Sequence, residues 1–187
     1  MLIETEPTPN PDTLKFIPDR TVLETGGLHF ADADTARKSP LASAIFELDC
    51  VAAVFLGSDF LSVTRRSDTD WEELKPRVLM TIMDHFVSGR PVIEGSDGDG
   101  EAPAGDFAEE DREIVEQIKA VLNEKVRPAV ARDGGDIVFH GFRNGIVHLH
   151  LQGACAGCPS STFTLKAGVE NLLKYYVPEV VAVEAIS

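Results

Sequence analysis

Two cysteines separated by two residues, Cys155 and Cys158, stand in the run Gly153-Ala-Cys-Ala-Gly-Cys-Pro-Ser-Ser161. That spacing lets both sulfurs converge on one point, and Gly157 permits the tight turn this requires. Pro159 suits the first turn of a helix, where its missing N–H costs nothing. The serines after it can satisfy amides that a helix start leaves open. The partial positive charge of such a helix end favours thiolate over thiol at Cys158. Thiolate is the form that ligates soft metals and the form that attacks disulfides. The pair therefore reads as a metal site or a redox dithiol, and the spacing alone leaves both open.

Ligand count bears on the choice. Iron–sulfur clusters and structural zinc both ordinarily take four ligands. The chain has three cysteines, the third being Cys50, which follows an apolar helical stretch and reads as a small core residue rather than a ligand. Two copies bringing Cys155 and Cys158 together would supply four thiolates, with a shared iron–sulfur centre and a zinc-stapled dimer as the two outcomes. Such a half-site holds its metal weakly, which suits a carrier that must release it. His148 and His150 fall on one strand face and read as a polar sheet face rather than ligands. His140 is expected opposite Leu149 and partly buried, while His29 and His85 have no recognisable context. Asp133-Gly-Gly-Asp136 reads as a tight connection needing glycine freedom rather than a cation loop. No Ser/His/Asp set, phosphate-binding loop or paired catalytic carboxylates stands out, so the expectation is a protein that is not an enzyme.

Composition narrows the partners. Apolar residues make up 43% of the 187, enough for a buried core, and the net charge is -14. Nucleic-acid binding calls for a basic footprint, so that class is disfavoured. No apolar run approaches the ~20 residues of a membrane helix. An odd, small cysteine count points to a reducing compartment. The acidic start Met1-Leu-Ile-Glu-Thr-Glu6 has neither the layout of a secretory signal nor that of an Arg-rich transit peptide. The expected location is the bacterial cytoplasm or, for a processed chain, the mitochondrial matrix.

The elements that must position the thiols fall in two segments. Residues 96–109 hold five acidic and no basic side chains among glycines, a composition that self-repels and extends. The expectation is an α+β protein of two small α/β-sandwich-like domains, residues 1–93 and 109–187, joined by a flexible acidic linker over 94–108. In the first, short strands are expected at Leu14–Ile17 and Thr21–Leu23. A helix capped by Ser39-Pro40 follows, then a hairpin from Val51 to Arg65 around Gly57-Ser-Asp59. The last helix is capped by Asp70 with Glu73 and runs to about Ser88, kinked or delayed by Pro76. In the second, Ile114, Val115, Ile118, Leu122 and Val126 line a helix. A hairpin turns at Asn144-Gly145, with Val138, Phe142, Val147, Leu149 and Leu151 on its inner face. Leu165, Val169, Leu172, Leu173 and Tyr176 then make a helix ending at Pro178, and Val180–Ile186 a last strand. The order is α-β-β-α-β, with helices on one face of a small mixed sheet.

Arg127-Pro-Ala-Val-Ala-Arg-Asp-Gly-Gly-Asp136, the hairpin, and the cysteine run together resemble the C-terminal domain of NifU, the Nfu family. Thr8-Pro-Asn-Pro-Asp-Thr-Leu-Lys-Phe16 and Phe30-Ala-Asp resemble the N-terminal domain that some Nfu proteins carry. The resemblance implies a [4Fe–4S] cluster bridging two subunits through Cys155 and Cys158, received from cluster-assembly proteins and passed to apo-proteins. It also implies a homodimer when loaded, with a monomer expected without the cluster.

Overall fold

The computed structural model describes residues 2–24, 26–94, 106–156 and 159–186, with the backbone alone for 159–162. Two compact units divide the chain, residues 1–100 and 101–187. The fold is α+β in both. Most of the segment expected to join the units, residues 95–105, lies outside the described residues.

The first unit is one antiparallel sheet backed by two helices. Its strands are β1 (Ile3–Pro7), β2 (Thr13–Pro18), β3 (Leu28–Phe30), β4 (Val51–Leu56) and β5 (Leu61–Arg65), in the spatial order β1-β2-β5-β4-β3. Helices α1 (Pro40–Phe46) and α2 (Trp71–Val87) cover the core of Phe16, Leu41, Ile45, Leu56, Leu61, Leu74 and Ile82. Ser39 caps α1 as expected, its Oγ accepting from the Ala42 amide at 3.1 Å. Asp70 caps α2 through the Glu72 amide at 3.2 Å. Pro76 neither delays nor ends that helix, which begins at Trp71 and runs through it.

Thr21–Leu23 is not a strand. Both edges of β2 are taken, one by β1 and one by β5, so the segment has no sheet position open beside it. Val22 and Leu23 are still buried, their amides donating to the Ser58 carbonyl at 2.8 and 3.2 Å. The hairpin partner is instead Ile3–Pro7, across a turn in which Asn10 Oδ1 accepts from the Asp12 amide at 3.0 Å. Pro9-Asn-Pro-Asp12 is the turn signal that marks it.

His85 lies on the inner side of α2 and is fully buried. Burial holds its pKa below the ordinary histidine value, and the charge of Arg90 adds to this against a smaller opposing pull from the Arg90 backbone. The unfolded chain therefore takes up this proton first as pH falls. The stability gained by burying a neutral ring is intact above about pH 6.5 and is lost as pH falls through the depressed folded value. Trp71, the one tryptophan, sits in this unit. Its emission should report a lower urea midpoint at pH 5 than at pH 7.5, and His85→Phe should flatten that difference. An unchanged pH dependence in the variant would assign the effect elsewhere.

The second unit follows the expected α-β-β-α-β order. Helix α3 (Arg112–Val121) passes through a π-helical turn (Leu122–Val126) into α4 (Arg127–Arg132). The wide turn has a local cause. Pro128 lacks an N–H and its ring would meet the carbonyl one turn back, so the Arg127 amide bonds Leu122, five residues earlier. Strands β6 (Gly135–Arg143) and β7 (Ile146–Gly153) form the hairpin, and α5 (Pro159–Tyr176) leads to β8 (Ala182–Ile186). The sheet order is β6-β7-β8, the first pair antiparallel and the second parallel. Both helical segments share one core with the sheet, built on Ile118, Leu122, Val130, Ile137, Leu149 and Leu173.

Asn144 and Gly145 both have positive φ, 52° and 79°, as a type I′ turn demands. Register then departs from strict alternation. A bulge between Phe139 and Gly141 sets Phe139, not His140, opposite Leu149. The extra residue flips the faces upstream of it: Ile137 and Phe139 are buried, Val138 is not, and His140 is exposed. Tyr176 also departs from expectation. It is half exposed at the helix end, and Val177 fills the core in its place.

The bulge has an occupant. Asp106 bridges to Gly141, with its amide donating to the His140 carbonyl and its carbonyl accepting from the Phe142 amide. A Cβ on Gly141 would stand 2.8 Å from that Asp106 carbonyl oxygen, so the residue there must be glycine. The chain is thus held to the second unit's sheet from residue 106, inside the span expected as linker.

Candidate metal centre

Strand β7 ends at Gly153 in the left-handed region, φ 67°, which turns the chain back toward the helical end of the unit. The Ala154 amide donates to the Gly134 carbonyl at 3.1 Å and the Ala156 amide to Gly153 at 3.1 Å. These bonds seat Cys155 as a buried residue within the core cluster, at 5% exposure. Cys158 and Gly157 lie outside the described residues. Helix α5 begins at Pro159, the residue immediately after Cys158, so the expected helix start is present.

Gly135 is shaped to this seat. A Cβ there would stand 2.7 Å from Cys155 Sγ and 2.7 Å from the Gln152 carbonyl oxygen. The second glycine of Asp133-Gly-Gly-Asp136 therefore exists for close approach to the thiol, while Gly134 supplies a positive φ of 78°. No cation loop forms there, since Asp136 has another partner.

That partner is Arg127, presented by the first turn of α4. Arg127 Nε donates to Asp136 Oδ1 at 2.8 Å and Nη2 to Oδ2 at 2.6 Å, a two-pronged pair in which the carboxylate is buried. Asp136 Oδ1 also accepts from the Ile137 amide at 2.8 Å, and Asn123 Oδ1 receives Arg127 Nη1 at 3.3 Å. The hydrogen bonds Arg127 donates to Asp136 raise its pKa above the ordinary value. The pair ties the helix start at Arg127 to the strand start beside Gly135, and so fixes the floor beneath Cys155. Sequence reasoning did not assign this role. Its signal was the placing of an arginine just before a helix proline and an aspartate just after two glycines.

The other candidates gather elsewhere. Cys50 belongs to the first unit, half-buried against its core. His148 and His150 share a half-buried sheet face, with His148 Nδ1 3.7 Å from Glu184 Oε2 and His150 Nδ1 3.3 Å from Gln152 Nε2. Among the described residues no three His, Cys, Asp or Glu side chains come together as a metal site. Cys155 with Cys158 is thus the candidate donor set of this unit. Two sulfurs are a soft pair suited to iron–sulfur or zinc, and they number half the ligands such centres ordinarily take.

Two family models match the chain. "Scaffold protein Nfu/NifU N terminal" covers residues 3–89 and "NifU-like domain" covers residues 118–184. A Homo sapiens protein named "NFU1 iron-sulfur cluster scaffold homolog, mitochondrial" is 47% identical over 187 residues, covering 100% of this chain and 72% of that protein. The Drosophila ananassae protein of the same name is 46% identical, covering 100% and 64%. "NifU-like protein 4, mitochondrial" of Arabidopsis thaliana is 47% identical over 188 residues, covering 98% and 65%. The chain spans roughly two thirds of the length of these relatives, 72%, 64% and 65%. With a family match on each unit and a 47% identical human relative aligned along the whole of this chain, the chain belongs to the Nfu family.

Proposed function

We propose that this protein is an iron–sulfur cluster scaffold and carrier. In this reading Cys155 and Cys158 of two copies hold one [4Fe–4S] cluster between them, and the cluster passes to apo-proteins by exchange with incoming thiolates. The observation that carries the reading is the seat of Cys155, a buried sulfur against the backbone of Gly135 at the start of a two-thiol motif. A second unit with two cysteines can offer half the ligands a cluster takes. Relatives named as cluster scaffolds support the cargo. The proposed domains are residues 1–93 and 109–187, with the acidic span 94–108 between them, its end held to the second unit's sheet from Asp106 onward. Upstream assembly proteins and apo-protein clients are the implied partners, and the role is not enzymatic. Of the two compartments expected, the mitochondrial names of the relatives support the matrix over the bacterial cytoplasm.

Anaerobic reconstitution with iron and sulfide tests this. The expected product is brown, carries about four iron and four sulfide per pair of chains, and sediments at twice the mass of the apo-protein. A colourless protein that takes up zinc would support a structural staple. A Cys155–Cys158 disulfide with metal-free reductase turnover would support a redox enzyme.

A further inference from the structure

We infer that the solvent side of α2, in the first unit, is a docking surface for a basic amphipathic helix of a partner protein. This helix carries two apolar stripes. Leu74, Val78, Ile82 and His85 are the buried one. At about 100° per residue, Pro76, Met80, Met83 and Val87 line up on the opposite side. Met80 is 67% exposed, Met83 44% and Val87 77%, and Pro76 is exposed with them. Single exposed apolar residues are ordinary on protein surfaces. Four of them at intervals of four, three and four residues are a different matter, since that repeat is the seam on which one helix seats another. Two of the chain's three methionines stand in it. Their flexible, polarizable side chains suit a surface that adapts to the helix it meets.

Charge selects the occupant. Exposed Glu72 borders the stripe on one side, and exposed Glu73 and Asp84 border it on the other, with Arg77 the one exposed cation of the helix. Among the described residues none of these three carboxylates is in an ion pair. A helix with an apolar ridge and Lys or Arg on both flanks would meet opposite charge on each side of the seam. A second copy of this chain fits poorly. It carries -14, and pairing the two stripes would set three carboxylates against three.

Size sets the lifetime of the contact. From Pro76 to Val87 the seam is about 16 Å long and about 10 Å wide, on the order of 200 Å², against ~800 Å² per partner in a stable interface. The docking is therefore weak and brief, which suits the carrier role proposed above but does not rest on it.

Fluorescence anisotropy of a labelled synthetic helix, titrated with the full chain, tests this. The probe is a peptide of about three heptads with Leu at a and d and Lys at e and g, whose like charges keep it from pairing with itself. A second peptide has Glu at e and g. The parent should bind the Lys peptide, and the Glu peptide about 10-fold more weakly or worse. Met80→Ser combined with Met83→Ser should melt like the parent, because both side chains are exposed. It should bind the Lys peptide about 10-fold more weakly or worse. Tyr175→Ser, at an exposed aromatic of the second unit, should bind like the parent. Parent-like binding by the double methionine variant would overturn the inference, as would equal binding of the two peptides or no binding to the parent. A dimer of the parent in sedimentation that the double variant loses would give the face to a second copy and overturn the occupant. No step needs a cluster, so a protein that takes up no iron would sink the carrier reading and leave this inference standing.

Discussion

Cys155→Ser should cut reconstituted iron from about two atoms per chain to less than a tenth of that, with Cys158→Ser equally severe. The substitution exchanges a soft thiolate for a hydroxyl, which stays protonated at neutral pH and is a poor ligand for iron–sulfur clusters. In the proposed reading two copies share the centre, so each variant dimer would offer two of the four ligands, and one atom per chain has a large effect. The fold should survive. Serine is close in shape, and a buried hydroxyl at this position costs about 1–3 kcal/mol, so the second unit of the apo-protein should melt lower by about 4–20 °C and still fold. Full iron uptake by both variants would remove these cysteines from the site. Loss of iron together with collapse of the apo fold would mean that Cys155 is a core residue first, consistent with its 5% exposure, and the ligand role would then rest on Cys158→Ser.

Asp136→Ala should have the largest effect on stability. The carboxylate is buried and accepts from two guanidinium nitrogens and one backbone amide. Its removal leaves Arg127 charged in a half-buried place without its partner. Breaking a fully buried pair costs ~3–5 kcal/mol; the arginine side chain here is 35% exposed, so about 2–3 kcal/mol is the expected loss. Arg127→Lys should cost less than Asp136→Ala, because lysine keeps the charge and loses the two-pronged geometry. Urea unfolding followed by far-UV circular dichroism would show this as an earlier transition of the second unit, while Trp71 emission from the first stays fixed. The same variant should retain cluster poorly, since residue 136 anchors the strand start that carries Gly135 under Cys155. A stable Asp136→Ala protein with normal iron retention would reduce the pair to a surface feature.

The sequence by itself settled what depends on local chemistry. The cysteine run, its helix start, the Ser39 and Asp70 caps and the Asn144-Gly145 turn are all set by a few adjacent residues whose backbone preferences are strong, and the structure shows the described ones in place. Apolar periodicity was enough to order the second unit as α-β-β-α-β, because each element buries one face against a single core. Tertiary structure decided whatever depended on a neighbour distant along the chain. Thr21–Leu23 looks like a strand and is not, because β1 and β5 already flank β2. Val138 exchanges faces with Ile137 and Phe139 because Asp106 docks at a bulge that no alternation pattern announces. The Arg127–Asp136 pair and the Gly135 seat follow the same logic. The run Arg127–Asp136 stands out in the sequence, but the role of each residue appears only when the helix start, the strand start and Cys155 are packed together.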